Sequence, residues 1–292
     1  SSKSDVILLN SDTEVYGNWV DRIYSAYKEN EKIATITPMS NNATICSYPN
    51  FPNGSELPYN FNAKLIDSLC KKHNKGNIYD VPTGVGSCMF ISRASIIKVG
   101  YLDSKLFGKG YGEENDLCLR LQAKGFRNVL LTDTYIYHFG GASFKKKKQY
   151  LCKKSLESII KIYPNYKRSV SNFIKKDVLK KDRFKLDLEI LKESSLPITI
   201  SIGNNRGGGT FKFIQQRAKK MQNEEQRLFL TPNASFPEKL ELFFMPEMIP
   251  ISREFKFSEI NEFFKNINTS HLEVHQILDY PYWFSNFIIY PL

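Results

Sequence analysis

Four short stretches carry residue types that could do chemistry. Asn10-Ser11-Asp12-Thr13 follows the apolar run Val6-Ile7-Leu8-Leu9. That run reads as a buried strand, and open α/β sheets bind ligands just beyond the carboxyl ends of their strands. A carboxylate there, Asp12, suits a divalent cation held against a diphosphate, because Mg2+ takes one or two carboxylates plus phosphate oxygens. The competing reading is a helix N-cap, since a helix-like stretch follows. Next comes Gly110-Tyr111-Gly112-Glu113-Glu114-Asn115-Asp116, where three acids fall within four residues as a glycine-rich loop enters a helix. Helix N-termini favour acids; the excess over one or two makes a general base the sharper reading. Tyr137-His138-Phe139-Gly140-Gly141 sets an imidazole between a strand and two glycines. It either serves the structure or joins Asp12 in a metal site, though the sequence alone does not bring the two together. Pro82-Thr83-Gly84-Val85-Gly86-Ser87-Cys88 offers close backbone contact with a substrate, or a tight turn.

Two alternating α/β units must position these residues, in keeping with 292 residues and 41% apolar content. In the first, a helix through Trp19, Ile23 and Tyr27 and a strand from Ile33 to Thr37 follow the opening strand. Met39 to Asn62 reads largely as loop. A helix is expected at Leu65–Lys72, a strand at Val85–Ser92 and a short helix at Arg93–Val99. Beyond it lie a helix at Asn115–Lys124 and separate strands at Val129–Leu131 and Tyr135–Tyr137. The second unit begins at Pro197, with a strand Ile198–Ile202, the turn Gly203–Thr210 and a helix Phe211–Met221. Strands are expected at Arg227–Thr231, Lys239–Phe244, His271–His275 and Phe287–Tyr290. Strand, glycine-rich turn, helix and strand is the opening of a Rossmann-like sheet.

The net positive charge belongs to one segment. Residues 145–185 hold fifteen Lys or Arg against Glu157, Asp177 and Asp182, a net +12, so the rest of the chain sums to −1. Leu156, Ile159, Ile160, Tyr163, Val170, Phe173 and Ile174 recur at helical spacing within it, which predicts amphipathic helices with a basic outer face. Such a face is either simply solvated or meets anionic headgroups or a phosphate-bearing substrate. Nucleic acid is not expected, because the stretch matches no binding motif. The five cysteines are odd in number and form no C-x-x-C pair, which fits a reducing, cytoplasmic compartment. No stretch approaches the ~20 apolar residues of a membrane span.

The order and spacing of DVILLNSDTEV, TPMSNNATICSYP, VPTGVGSCMFISR, FGKGYGEENDLCLR and YHFGGASF resemble the rear part of a bacterial family-2 glycosyltransferase of the GT-A fold. The resemblance covers residues 5 to about 187. It implies that Asp12 stands for the metal-binding acid of a D-x-D motif whose first acid is here Asn10. It also implies that Glu113 and Glu114 occupy the catalytic acid pair, with Glu114 as base, and that His138 is the late metal ligand. Gly84 to Ser87 match the loop lining the acceptor side. The implied reaction moves a sugar from a nucleotide diphosphate to a saccharide or lipid-linked acceptor with inversion, in surface polysaccharide synthesis, with Mn2+ or Mg2+ as cofactor.

Residues 197–292 resemble the start of a family-4 glycosyltransferase of the GT-B fold, through ITISIGNNRGGGTFKFIQQRA and HLEVHQILDYPYWFSNFIIYPL. Gly207 and Gly208 would then set backbone N–H groups near a phosphate or an acceptor, or simply form a turn. His271 and His275 are expected to be structural or to line an acceptor. The expected organisation is a partial GT-A domain over 1–192, including the basic helical segment 145–192, and a partial Rossmann-like domain over 197–292. Both resemblances stop short of a whole enzyme, so the chain reads as the middle of a longer two-transferase polypeptide. The alternative is a non-catalytic module whose basic helices, with Lys145, Lys146, Lys147 and Lys148, dock on the inner face of a membrane or on an assembly partner.

Overall fold

A computed structural model describes residues 3–284 apart from 59–60, 108–110, 141–144, 237, 256, 268, 278 and 283; at 145–149, 252–254, 257–258 and 261 it describes the backbone alone. The chain forms two units, Ser1–Glu56 with Ala63–Asp182, and Leu57–Asn62 with Arg183–Leu292. Each holds one mixed sheet.

In the first unit the elements run β1 (Val6–Leu9), β2 (Thr13–Glu14), α1 (Trp19–Lys28), β3 (Ile33–Ser40), α2 (Ala63–His73), β4 (Ile78–Asp80), β5 (Cys88–Ile91), α3 (Arg93–Val99), α4 (Ser104–Phe107), α5 (Glu113–Ala123), β6 (Arg127–His138), α6 (Lys145–Ile162) and α7 (Tyr166–Lys176). The sheet order is β1-β5-β3-β6-β2, with β4 also on β6. Only β3 and β6 run parallel; the other pairs are antiparallel. Every residue of β3 is buried, as a strand covered on both faces requires. One layer packs Ile23 and Ala26 of α1 against Ile33, Ile36, Val129 and Leu131. The other packs Leu117, Cys118 and Leu121 of α5 against Ala34, Met89 and Ile91.

The two strands expected at Val129–Leu131 and Tyr135–Tyr137 are one strand with a bulge. Leu131 pairs with Pro38 and Tyr135 with the next residue, Met39, so Thr132, Asp133 and Thr134 are extruded. Proline has no N–H to give the ladder, and central strands accept it only at such irregularities. Buried side chains hold the bulge. Arg22 donates to the Asp133 carbonyl, Gly76 N–H to Asp133 Oδ2 at 3.0 Å, and Thr132 Oγ1 to Asp182 at 2.6 Å. Asp67 on α2 takes the Tyr135 N–H at 3.0 Å, and both its oxygens accept from Arg22 Nη2 at 2.8 Å. The strand expected at Val85–Ser92 shrinks to Cys88–Ile91, leaving Val85–Ser87 as loop. The segment after β3 is loop as expected, but a buried one that carries a short 3-10 turn at Thr44–Cys46. β2 and β4 are too short to show a period of two, and the sequence reading missed them.

Helix α8 (Lys180–Glu193) carries the chain across the division between units, upstream of the boundary expected between residues 192 and 197. The second unit then runs β7 (Ile198–Ile202), α9 (Gly209–Met221), β8 (Gln226–Pro232), β9 (Leu240–Phe244), β10 (Ile249–Phe255), α10 (Phe257–Asn266) and β11 (Thr269–Val274). Its order is β10-β9-β8-β7-β11. β8 and β11 flank β7 in parallel, whereas β9 and β10 run antiparallel. The βαβ opening matches the sequence expectation, but the sheet as a whole is mixed and does not have the all-parallel Rossmann pattern. The strand expected at Phe287–Tyr290 lies outside the described residues. All five cysteines are free.

Candidate functional site

The carboxyl end of β1 is anchored by backbone. Asn10 N–H donates to the Ser87 carbonyl at 2.9 Å, and Thr13 N–H to the Asn10 carbonyl at 3.2 Å. This turn leads into β2, where Thr13 pairs with His138 of β6. Phe139 N–H donates to the Asp12 carbonyl at 3.0 Å. The two strands therefore set Asp12 beside His138, with Oδ2 and Nε2 3.4 Å apart and the Asp12 side chain 37% exposed. Asn10 itself is exposed.

The loop after β3 fixes the imidazole. Buried Asn41 accepts the His138 N–H at 2.8 Å and donates to its carbonyl at 3.2 Å. His138 Nδ1 lies 3.2 Å from the Asn42 carbonyl. A carbonyl only accepts, so this contact places a proton on Nδ1; in the neutral ring the lone pair is then on Nε2, the nitrogen on the Asp12 side. An anionic oxygen and a neutral imidazole nitrogen, the latter oriented by a carbonyl, are a fitting donor pair for Mn2+ or Mg2+. Among the described residues no group of three His, Cys, Asp or Glu gathers for a metal, so this pair would need other oxygens, such as those of a diphosphate, to complete a shell. Asn41 and Asn42 were quoted in the sequence pattern without a role; two amides directly after an apolar strand were the available signal.

Glu113 and Glu114 sit in the first turn of α5, two residues earlier than the expected helix start. Gly112 precedes them with φ +106°, and a Cβ there would collide with the Ser155 hydroxyl and press on the Phe107 ring. Tyr111 also holds a left-handed φ of +77°, a costly conformation for an aromatic residue. Ser155 of α6 donates to the Tyr111 carbonyl. Burial pushes the Glu114 carboxyl above its ordinary range, with neighbouring Glu113 adding to the rise. Its Oε2 accepts the Gly112 N–H at 3.1 Å, which leaves Oε1 for a substrate. Glu113 Oε2 is buried with no hydrogen-bond partner. The Tyr111 phenol is raised by burial first, then by Cys152, Asp12 and Glu113. Asp116 is occupied structurally, accepting from Tyr163 OH and from Arg120 Nε, each at 2.8 Å.

The two candidate glycines of the third stretch differ. A Cβ on Gly86 would rest 3.7–3.8 Å from the Glu114 side chain, so Gly86 opens onto the presumed base. Gly84 is buried, and its close approach is to Thr37 and Met89 of the protein. Since Ser87 binds Asn10, the stretch ties Asp12 and Glu114 to one edge of the sheet. Gly110, Gly141 and the side chains of Lys145–Lys148 lie outside the described residues.

In the second unit, Gly207 and Gly208 lead into α9 at an exposed turn, and a Cβ on either would meet nothing within 4 Å. The polar groups around them are paired. Asn204 donates to Asp279, Arg206 pairs with Asp279 at 2.7 Å, and the Tyr280 hydroxyl takes the Gly203 N–H at 3.0 Å while donating toward the Leu230 carbonyl at 2.5 Å. His271 is exposed on β11. His275 follows that strand, 3.4 Å from Glu273. Glu273 also meets the buried Arg227 at 2.5 Å and Arg217 at 3.1 Å.

No family model matches the sequence, and no curated protein matches it. Among solved structures, the chain is similar to a crystal structure of GalNAc-T7 with UDP, GalNAc and Mn2+, at 13% identity and a TM-score of 0.36. The match covers 84% of this chain, which spans half the length of that one.

Proposed function

We propose that the first unit is the metal- and acceptor-binding part of an inverting glycosyltransferase acting on a nucleotide-diphosphate sugar and a saccharide or lipid-linked acceptor. The observation that carries this reading is the pairing of Asp12 with His138 on the same sheet edge as a half-buried Glu114 whose carboxyl is raised by desolvation. Asp12 Oδ2 and His138 Nε2 would hold Mn2+ or Mg2+. Such an ion supplies charge neutralisation for a departing diphosphate. Glu114 Oε1 would take the acceptor hydroxyl proton as that oxygen attacks the anomeric carbon opposite the leaving group, which inverts the centre. A carboxyl raised toward neutrality is better suited to that transfer than an ordinary one. Glu113 keeps a buried oxygen without a hydrogen-bond partner, and Gly86 leaves room for an acceptor next to Glu114. Surface polysaccharide synthesis would supply such acceptors, and the second unit would belong to a further transferase of the same polypeptide.

The test is release of nucleoside diphosphate from a panel of nucleotide sugars with Mn2+ and oligosaccharide or polyprenyl acceptors. Glu114→Gln should lower turnover by about 10²–10⁴-fold. Turnover that survives both Glu114→Gln and Asp12→Ala would contradict the reading.

A further inference from the structure

Helices α6 and α7 turn opposite faces to the protein and to solvent. On α6, Cys152, Ser155 and Ile159 face inward; on the opposite arc lie Tyr150, Lys153, Lys154, Glu157 and Lys161. On α7, Tyr166, Val170 and Phe173 face inward, and Lys167, Arg168, Lys175 and Lys176 are exposed. With Lys180 and Lys181 these make nine exposed cations, among which only Glu157 is an exposed acid. Large apolar side chains stand out beside them: Tyr150 is 65% exposed, Leu156 40% and Ile162 45%. Cations interleaved with exposed apolar groups are the composition of a helix lying in a lipid interface. A phosphate backbone attracts the cations but offers nothing to Leu156 and Ile162. The preponderance of lysine over arginine also favours diffuse attraction to headgroups over forked phosphate contacts.

We propose that the α6–α7 face docks on an anionic lipid bilayer, peripherally, since no described helix is long and apolar enough to cross one. The same α6 reaches the acid-bearing turn, because Ser155 holds the Tyr111 carbonyl and Tyr163, just after the helix, holds Asp116. A docked α6 therefore ties the first turn of α5 to the membrane surface, where a lipid-linked acceptor would be found. That last consequence rests on the transferase reading; the docking itself does not.

The experiment is co-sedimentation of the whole chain with phosphatidylcholine vesicles and with vesicles containing phosphatidylglycerol, without nucleotide or metal. Binding is expected to the anionic vesicles alone. Each cation at such a surface is worth about fivefold in affinity, so the combined Lys153→Glu, Lys154→Glu, Lys167→Glu, Arg168→Glu variant should lose at least a hundredfold. Thermal unfolding must stay at the wild-type temperature. A second variant, Leu156→Ser with Ile162→Ser, should weaken vesicle binding severalfold and leave any binding to duplex DNA unchanged. Equal binding to neutral vesicles, no binding to either, or full vesicle binding by the serine variant would overturn the proposal. The last result would mark a general polyanion surface. None of these outcomes depends on Asp12 or Glu114, so failure here leaves the transferase test untouched.

Discussion

At the edge of the first sheet, Glu113 keeps a buried oxygen without a partner, and Asp12 stands partly open beside a tautomer-fixed histidine. At the glycine turn of the second, Asn204, Arg206 and Tyr280 already close on Asp279 and on backbone carbonyls. Both edges carry the residue types that sequence reading associates with phosphate chemistry. They differ in whether the protein has used up its own polar groups. A buried carboxylate oxygen left unpaired costs free energy, and it makes sense where a ligand is to pair with it. The comparison ranks the first edge as the reactive one and the second as a self-satisfied turn.

The sharpest break of that ranking is functional. Asp12→Ala, His138→Ala or Glu114→Gln should each remove two or more orders of magnitude of transfer. Gly207→Ala is strained by its left-handed φ of +73°, but should leave transfer within about twofold, because the cost of such strain falls on stability. A glycine variant as damaging as Asp12→Ala in the diphosphate-release assay would reverse the ranking.

Stability separates the units next. Arg22 of the first unit, paired with Asp67, and Arg227 of the second, held between Glu225 and Glu273, are both buried. Removing one partner of a buried pair costs about 3–5 kcal/mol, so Arg22→Leu and Arg227→Leu should each lower the denaturant midpoint strongly. Arg22→Leu should also lower transfer, because Arg22 holds the bulge that leads to His138. Arg227→Leu should spare the transfer measured on molecules that remain folded.

Opposite pH responses sharpen the contrast further. Burial raises the Glu114 carboxyl, so the folded state prefers it protonated; that support is complete below the unfolded value of about 4.5 and fades as pH rises through the raised one. Glu114→Gln should thus raise the melting temperature at pH 7 and leave it unchanged near pH 4. Hydrogen bonding from Arg227 lowers Glu273, whose support is present above 4.5 and is lost as pH falls through the lowered value. Melting curves from pH 7 to about pH 3 check both signs. The smallest effect is Gly84→Ala, whose clash with Thr37 and Met89 should cost about 1–3 kcal/mol of stability, with the metal site intact by direct titration.

What the sequence made legible follows periodicity. β1, α1, β7, α9 and the amphipathic α7 carry clear apolar patterns and lie close to where those patterns put them. The sequence put a break at Thr132–Thr134 but did not show that one strand runs through it, because the bulge depends on a proline in the partner strand and on Arg22 from a helix more than a hundred residues away. Asp12 and His138 were named as a candidate metal pair, but only the β2–β6 pairing brings them together, and β2 is two residues long. Asn41 and Asn42 offered only their place directly after a strand, since an amide or a carbonyl that orients an imidazole looks like any other in a loop. β9 was expected as a strand but not its antiparallel direction, since a strand's composition does not state its direction, and β10 was missed.

The central claim is that Asp12 and His138 form the metal-dependent diphosphate site. It is tested most directly by calorimetric titration of nucleoside diphosphates into the whole chain, with and without Mn2+. The same titration follows on Asp12→Ala and His138→Ala at their confirmed wild-type fold. The account predicts Mn2+-dependent binding that falls at least tenfold in each variant. Binding that ignores Mn2+, or that persists undiminished in both variants, would contradict it.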